Sequence, residues 1–241
     1  MKSILKSLLR RIGLQVRKYP DTDLKRRMAM VRAQGIDLIL DIGANEGQYG
    51  HKMRQLGYTG RLVSFEPAPD AFLRLEARSA RDPHWEVCNY ALGAAEDTVH
   101  LNLSANSSSS SLLPILQCHL ESDPNARFID SVPVPMKRLD SVFHHLAPQA
   151  RTLMVKIDAQ GYEKQILDGA SAVMEHIRLL QLEMSLVPLY DTETLFQDWL
   201  PQLSSLGFEL ISLENGFYNS NTGRLLQVDG IFLNSTDAAT T

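Results

Sequence analysis

Cysteine is nearly absent: only Cys88 and Cys118 occur in 241 residues. Their separation fits neither a metal knuckle nor a redox pair, which removes a disulfide framework and a zinc cluster from consideration and points to a reducing compartment. Long apolar runs are missing too, so no segment reads as a bilayer span. Charge of one sign is also lacking. The formal net charge is -4, without the concentrated basic surface that phosphate backbones demand, and this argues against a nucleic-acid partner. There is no internal repeat, and no cluster of histidines and carboxylates suggests a metal. What remains is a chain with 44% hydrophobic residues, of a size that buries one large core.

Residues 1–34 form a basic helical segment ahead of the domain. Lys2, Lys6, Arg10, Arg11, Arg17 and Lys18 precede the first acid, Asp21. Ile4, Leu5, Leu8, Leu9 and Ile12 recur at helical spacing and leave Lys2, Lys6 and Arg10 on another face. Charges interrupt the apolar stretch and no small-residue cleavage site follows, so the segment is not a secretory signal. Two roles fit. Either the apolar stripe packs on the domain, or residues 1–20 lie on an anionic membrane surface as a peripheral contact. The expected setting is the cytoplasm, in the second case at the inner face of the membrane.

The domain itself is expected over 35–235, with a tail at 236–241. Gly35 releases the chain into Ile36–Gly43, a nearly continuous apolar run of the kind that a strand buried on both faces of a parallel sheet produces. Helices are predicted over about 47–56 and 69–80, with strands at Arg61–Pro67 and around Trp85–Leu92. This alternation implies right-handed crossovers and an α/β doubly wound sheet. The pattern loosens into an irregular, mobile insert at about 96–135 that contains the low-complexity stretch Asn106–Ser111. Buried strands return at Thr152–Asp158 and Arg178–Ser185, with helices over about 162–175 and 193–206. The turn-rich Asn219–Gly223 then joins the last two strands in an antiparallel hairpin, so the sheet is mostly parallel with a C-terminal hairpin.

The most informative segment is Asp41-Ile42-Gly43-Ala44-Asn45-Glu46-Gly47, where a buried strand gives way to a helix. Gly43 and Gly47 permit a tight turn, and amides exposed at the helix start are expected to bind a carboxylate. A lone glycine-rich loop is weak evidence, so its neighbours decide what it binds. Asp41 would repel a diphosphate and attract the ammonium or sulfonium of S-adenosylmethionine. Glu66, at the end of the next strand, sits where an acid accepts hydrogen bonds from both ribose hydroxyls, with Pro67 following. Asn89, Tyr90 and Ala91 follow the third strand and are expected beside the adenine.

Taken together, DIGANEG, FEP, NYALG, the serine tract, KIDAQGYEKQIL and LQLEMS resemble the FkbM family of S-adenosylmethionine-dependent methyltransferases over about residues 37–233. The resemblance implies a Rossmann-like class I methyltransferase sheet and O-methylation of a hydroxyl on a sugar, polysaccharide, glycolipid or related natural product. The acceptor is therefore a small molecule or a glycan. One departure stands out: Gln160 occupies a position where the family usually has an acid.

Methyl transfer from a sulfonium asks the protein to align the acceptor oxygen, exclude water and remove one proton. Asp158 and Glu183, ending two consecutive predicted strands, are the candidate bases, Asp158 first. Asp158 can also serve as a helix cap, and Glu183 as a structural partner. Lys156 is left without a role, and His144 and His145 read as surface residues. Two other functions stay open: a binding subunit that has lost catalysis, for which Gln160 is the hint, and an NAD-dependent oxidoreductase, which shares the Glu66 feature.

Overall fold

The computed structural model describes Gly13 and residues 19–146 and 150–235. The basic stripe read over 1–20 thus falls almost wholly outside the described residues, as does the tail 236–241. Helix α1 (Thr22–Ala33) begins at Asp21, whose carboxylate accepts from Leu24 N at 2.9 Å and satisfies one of the free amides of the first turn. Then follow β1 (Leu38–Ile42), α2 (Gln48–Gln55), β2 (Arg61–Phe65), α3 (Pro69–Ser79) and β3 (Trp85–Cys88). Pro69 stands in the first turn of α3, where its missing N–H leaves no bond unmade. After β4 (Ala91–Leu92) come β5 (Asp97–Ser104), α4 (Gln117–Ser122), β6 (Phe128–Lys137), α5 (Leu139–Leu146) and β7 (Leu153–Ile157). The chain ends with α6 (Glu163–Asp168), β8 (Ile177–Ser185), α7 (Phe196–Ser205), β9 (Phe208–Asn215) and β10 (Gln227–Asn234).

Seven strands form the main sheet in the order β3-β2-β1-β7-β8-β10-β9. The first five are parallel, and β10 runs antiparallel to both of its neighbours. Helices cover both faces. Leu38, Leu40 and Ile42 point to the side packed by Phe143, Ile166 and Trp199, while Ile39 points to the side packed by Met28, Met53 and Leu75. Alternation along β1 places Asp41 on the same side as Ile39. The expected doubly wound sheet with its terminal hairpin is what the chain adopts.

Three expectations need correction. The stretch Trp85–Leu92 is not one strand: it breaks at Asn89, leaving β3 in the main sheet and β4 paired in parallel with β6 in a separate three-stranded sheet. The insert is irregular only in its middle, because at its ends β5 and β6 pair antiparallel in that small sheet, from Asp97 opposite Met136 to Ser104 opposite Phe128. The helix expected over 162–175 stops at Asp168. There Gly169 packs so closely on Gly93 that an added Cβ would lie 1.9 Å from its carbonyl oxygen. The Asp140 carboxylate then captures Ala172 N at 3.0 Å and Ser171 Oγ at 3.1 Å, holding a turn where a helix would have continued.

Candidate active site

A cavity of about 530 Å³ opens at the carboxyl ends of β1, β2, β7 and β8. This is within the range of small-molecule sites and at the edge of the sheet where open α/β folds bind ligands. Gly43, Ala44, Asn45, Glu66, Pro67, Tyr90 and Ala91 line one part of it, and Asp158 and Glu183 another.

Three of the sequence-derived residues stand behind the wall. Asp41 is fully buried and faces the Lys156 ammonium, with Nζ 3.1 Å from Asp41 Oδ1. It is therefore not a free carboxylate awaiting a ligand's ammonium, because its counter-charge is already in the protein. Asn89 donates from Nδ2 to the carbonyls of Glu66 at 2.9 Å and Pro67 at 3.3 Å, pinning the corner that follows β2. Gly47, with φ of +78°, would place a Cβ 2.8 Å from Leu75 and 3.2 Å from Trp85, so glycine serves close packing there.

The loop amides also differ from expectation. Gly43 N and Ala44 N both donate to Phe65 O, at 3.1 and 3.0 Å, and Gly47 N donates to Ala44 O at 2.8 Å. Asn45 N donates to Glu66 Oε2 at 2.7 Å. These amides are engaged inside the protein, so a ligand carboxylate must find other donors. What the loop does offer is the Asn45 side chain, whose buried Oδ1 has no hydrogen-bond partner. Gly43 itself, at φ of +74°, lies against the Asp158 carbonyl oxygen, which a Cβ would approach to 1.9 Å. The ends of β1 and β7 can meet this closely only if residue 43 has no side chain.

Glu66 sits 7% exposed at the cavity wall, Oε1 accepting from Ala68 N at 2.8 Å and Oε2 from Asn45 N. Burial pushes its carboxyl up to about 7, against the opposite pull of those two amides and of Lys156. Each oxygen keeps a lone pair for a further donor.

A buried row of charge runs across the adjoining strands. Asp41 is in register with Lys156, and Lys156 with Gln181. Besides Asp41, the Lys156 ammonium donates to Gly43 O at 3.1 Å and lies 3.4 Å from Asp158 Oδ2. Burial alone would lower the Lys156 pKa, but the Asp41 and Asp158 carboxylates outweigh it and hold the amine charged. Tyr49 from α2 donates to Gln181 Oε1 at 3.1 Å, and Gln181 Nε2 donates to Asp229 Oδ1 at 3.2 Å.

Gln160 occupies the centre of the other wall. Its Nε2 donates to Asp158 Oδ1 and to Glu183 Oε2, each at 2.8 Å, and its Oε1 accepts from Tyr190 Oη at 2.9 Å. Gln227 Nε2 adds a second donor to Glu183 Oε2 at 2.9 Å. Burial, and then the nearby Asp158, Asp229 and Glu163 carboxylates, push the Glu183 carboxyl well above the usual range, with Lys156 opposing. Beneath this turn Glu163 accepts from Ala159 N at 2.8 Å and Gly161 N at 3.3 Å, which holds Gln160 in its left-handed conformation at φ of +55°. The serine tract is equally built in: Ser111 Oγ donates to Gln160 O at 2.7 Å and Tyr190 Oη reaches Ser109 O at 3.1 Å. Sequence reasoning noticed Gln160 only as a missing charge. It missed Tyr190 and Gln227, which carry no local signal, and gave no role to Glu163, which stands in the block that carries the family resemblance.

This sheet order, with a ligand cavity where the strand order reverses between β1 and β7 and two acids facing it, is that of a Rossmann-like methyltransferase domain. Residues 41–210 match the methyltransferase FkbM domain, and the chain belongs to that family. It is a methyltransferase, and S-adenosylmethionine is its cofactor. It is 24% identical over 216 residues to the 2-O-methyltransferase NoeI of Sinorhizobium fredii (strain NBRC 101917 / NGR234), covering 86% of this chain and 87% of that protein. Fibrillarin from Aeropyrum pernix, solved with natively bound S-adenosyl-L-methionine, aligns over 86% of this chain and 74% of its own at 12% identity and a TM-score of 0.47. Magnesium protoporphyrin IX methyltransferase (ChlM) from Synechocystis PCC 6803, with bound SAM, aligns over 97% of both chains at 11% identity and a TM-score of 0.48.

Proposed function

We propose that this methyltransferase acts on a hydroxyl group of a sugar, as a free glycoside or as part of a polysaccharide, glycolipid or related natural product. The observation that carries this reading is the pair of acids Asp158 and Glu183, bridged by one amide on the cavity wall beside the glycine loop. An alcohol must lose its proton as it is methylated, and a carboxylate beside the cofactor loop is placed to take it. The name of the relative, a 2-O-methyltransferase, is in keeping with an oxygen acceptor.

S-adenosylmethionine supplies an electrophilic methyl group when bound. The residues present fit it: a carboxylate with two free lone pairs at Glu66, an unpartnered amide oxygen on Asn45, and the apolar surfaces of Pro67, Tyr90 and Ala91. Glu66 would accept from the ribose hydroxyls, while Pro67, Tyr90 and Ala91 would pack on the base. Gly43, Ala44 and Asn45 shape the floor. Asp41, Gly47 and Asn89 act as positioning residues behind it. Asp158 takes the acceptor proton, since its backbone touches Gly43 and it is thus the acid nearer the methyl donor, while Glu183 and Gln160 orient the hydroxyl.

The test is transfer of isotopically labelled methyl from S-adenosylmethionine to a panel of methyl pyranosides and oligosaccharides, read by mass of the product. Labelled methyl ethers are expected; transfer confined to nitrogen or carbon acceptors contradicts the reading.

Glu66 makes cofactor binding depend on pH. Ribose hydroxyls donate to the ionised carboxylate, so affinity for S-adenosylhomocysteine is expected to rise as pH increases through about 7 and then level off. Glu66→Gln should bind about 10- to 100-fold more weakly above that pH, the equivalent of one charge-assisted hydrogen bond, and show a flat profile. Stability of the free protein runs the other way. A folded pKa above the unfolded one gives a contribution that is full below the ordinary glutamate value and lost as pH rises through about 7. Calorimetric titration on both sides of neutrality checks the pair of signs, and a wild-type affinity that does not change with pH refutes the assignment.

A further inference from the structure

One histidine lies on the cavity wall with no part in the chemistry above. His119, on α4, is 3% exposed, and its Nδ1 is enclosed without a hydrogen-bond partner. Its ring stands edge-on to Tyr190, centroids 5.2 Å apart, and tilted against Phe217 at 5.4 Å. Phe217 comes from the loop between β9 and β10 and is only half-buried. One helical turn after His119, Asp123 also lines the cavity, its Oδ2 accepting from Asn106 Nδ2 at 2.8 Å; the same Nδ2 donates to Ser109 Oγ at 2.9 Å. A further bond, Asn219 Nδ2 to Ser122 Oγ at 2.9 Å, ties the hairpin loop to α4.

Three segments distant in sequence thus bring one carbon ring, one imidazole, a carboxylate, an amide and a serine hydroxyl to one end of the cavity, with the Tyr190 ring packed behind the imidazole. We propose that His119, Phe217 and Asp123 form the subsite that holds the pyranose ring of the acceptor, with Tyr190 buried behind the imidazole and the Asn106 amide, fully bonded within the protein, positioning Asp123. This rests on the sugar reading above and deepens it by naming where the sugar sits. A pyranose presents both C–H faces and a rim of hydroxyls, so it needs aromatic surface beside groups that donate and accept. Burial lowers the His119 pKa, with Asp123 opposing, so the ring is neutral at physiological pH. A neutral imidazole carries one donor and one acceptor, and a hydroxyl is a ligand group that answers either. The orphaned ring nitrogen, costly to leave buried, gains its partner when the sugar docks. The serine tract, engaged with Gln160, links this subsite to the two acids.

Saturation-transfer NMR on the protein loaded with S-adenosylhomocysteine, with methyl pyranosides as probes and a simple phenol as control, tests the assignment. Wild type should saturate the pyranoside ring protons. Phe217→Ala should abolish the signal, and His119→Phe, which keeps a ring but removes both nitrogens, should weaken binding at least about tenfold. Both should retain S-adenosylhomocysteine affinity, which a merely structural histidine whose loss unfolds the site would not allow; if His119→Phe loses it, Phe217→Ala decides alone. Pyranosides that bind wild type and Phe217→Ala equally overturn the subsite and leave the sugar reading intact. Binding of the phenol without any pyranoside overturns both.

Discussion

Asp158→Asn should lower kcat for methyl transfer by about 10²- to 10⁴-fold, the usual contribution of a positioned acid–base group, with S-adenosylmethionine affinity unchanged within a few-fold. The substitution is isosteric, and the asparagine carbonyl can still accept from Gln160 Nε2, so the wall keeps its geometry. What disappears is the anion that receives the acceptor proton. The rate of the wild-type enzyme should climb with pH as Glu183, held well above the usual carboxylate range by burial and its acidic neighbours, deprotonates and can accept from the acceptor hydroxyl. A turnover number unaltered in Asp158→Asn would show that the proton leaves by another route.

The largest effect on stability is expected at Lys156. Replacing it with methionine leaves Asp41, fully buried, with only Ser64 Oγ at 3.3 Å as partner. Stranding a buried charge in this way costs about 3–5 kcal/mol, and for a chain of this size that lowers the melting temperature by on the order of 10 °C. The pair can be separated from the general loss of a lysine. In the double variant Lys156→Met with Asp41→Asn the fully buried charge is gone, while Asp158, which also loses the ammonium, is part-exposed and keeps the Gln160 amide, so much of the loss should return. Urea unfolding of the three proteins checks this, and a double variant no more stable than the single one would place the damage elsewhere.

The parts of the molecule that could be read in advance are those where chemistry is local. The five-residue run of β1, the glycine bend after it and an acid at the end of the next strand are contiguous patterns, and each lies where expected. Partner choice was not legible. Asp41 looks like a free carboxylate in the sequence because the lysine that neutralises it lies more than a hundred residues away, brought alongside by the β1–β7 register. The amides of Gly43 and Ala44 look available for the same reason: Phe65 O, their acceptor, belongs to another strand. Serine-rich composition in Asn106–Ser111 suggested a mobile stretch, yet Ser111 Oγ donates to Gln160 O, Ser109 O accepts from Tyr190 and the Asn106 amide donates to Asp123. Gln160 shows how little a residue type says alone. As a departure from an acid it hinted at lost activity, but a third carboxylate there would face Asp158 and Glu183, whereas the amide donates to both.

Helix α1 closes on the far end of the molecule: Arg27 donates to Glu214 of β9, and Arg26 to Ser212 Oγ at 2.5 Å. Arg27 and Asp229 both line the cavity. The ligand chamber is therefore sealed by the earliest and the latest described parts of the polypeptide, joined like a belt fastened after the garment is on. During synthesis the chamber lacks one wall until the last hairpin has been made and clasped to α1.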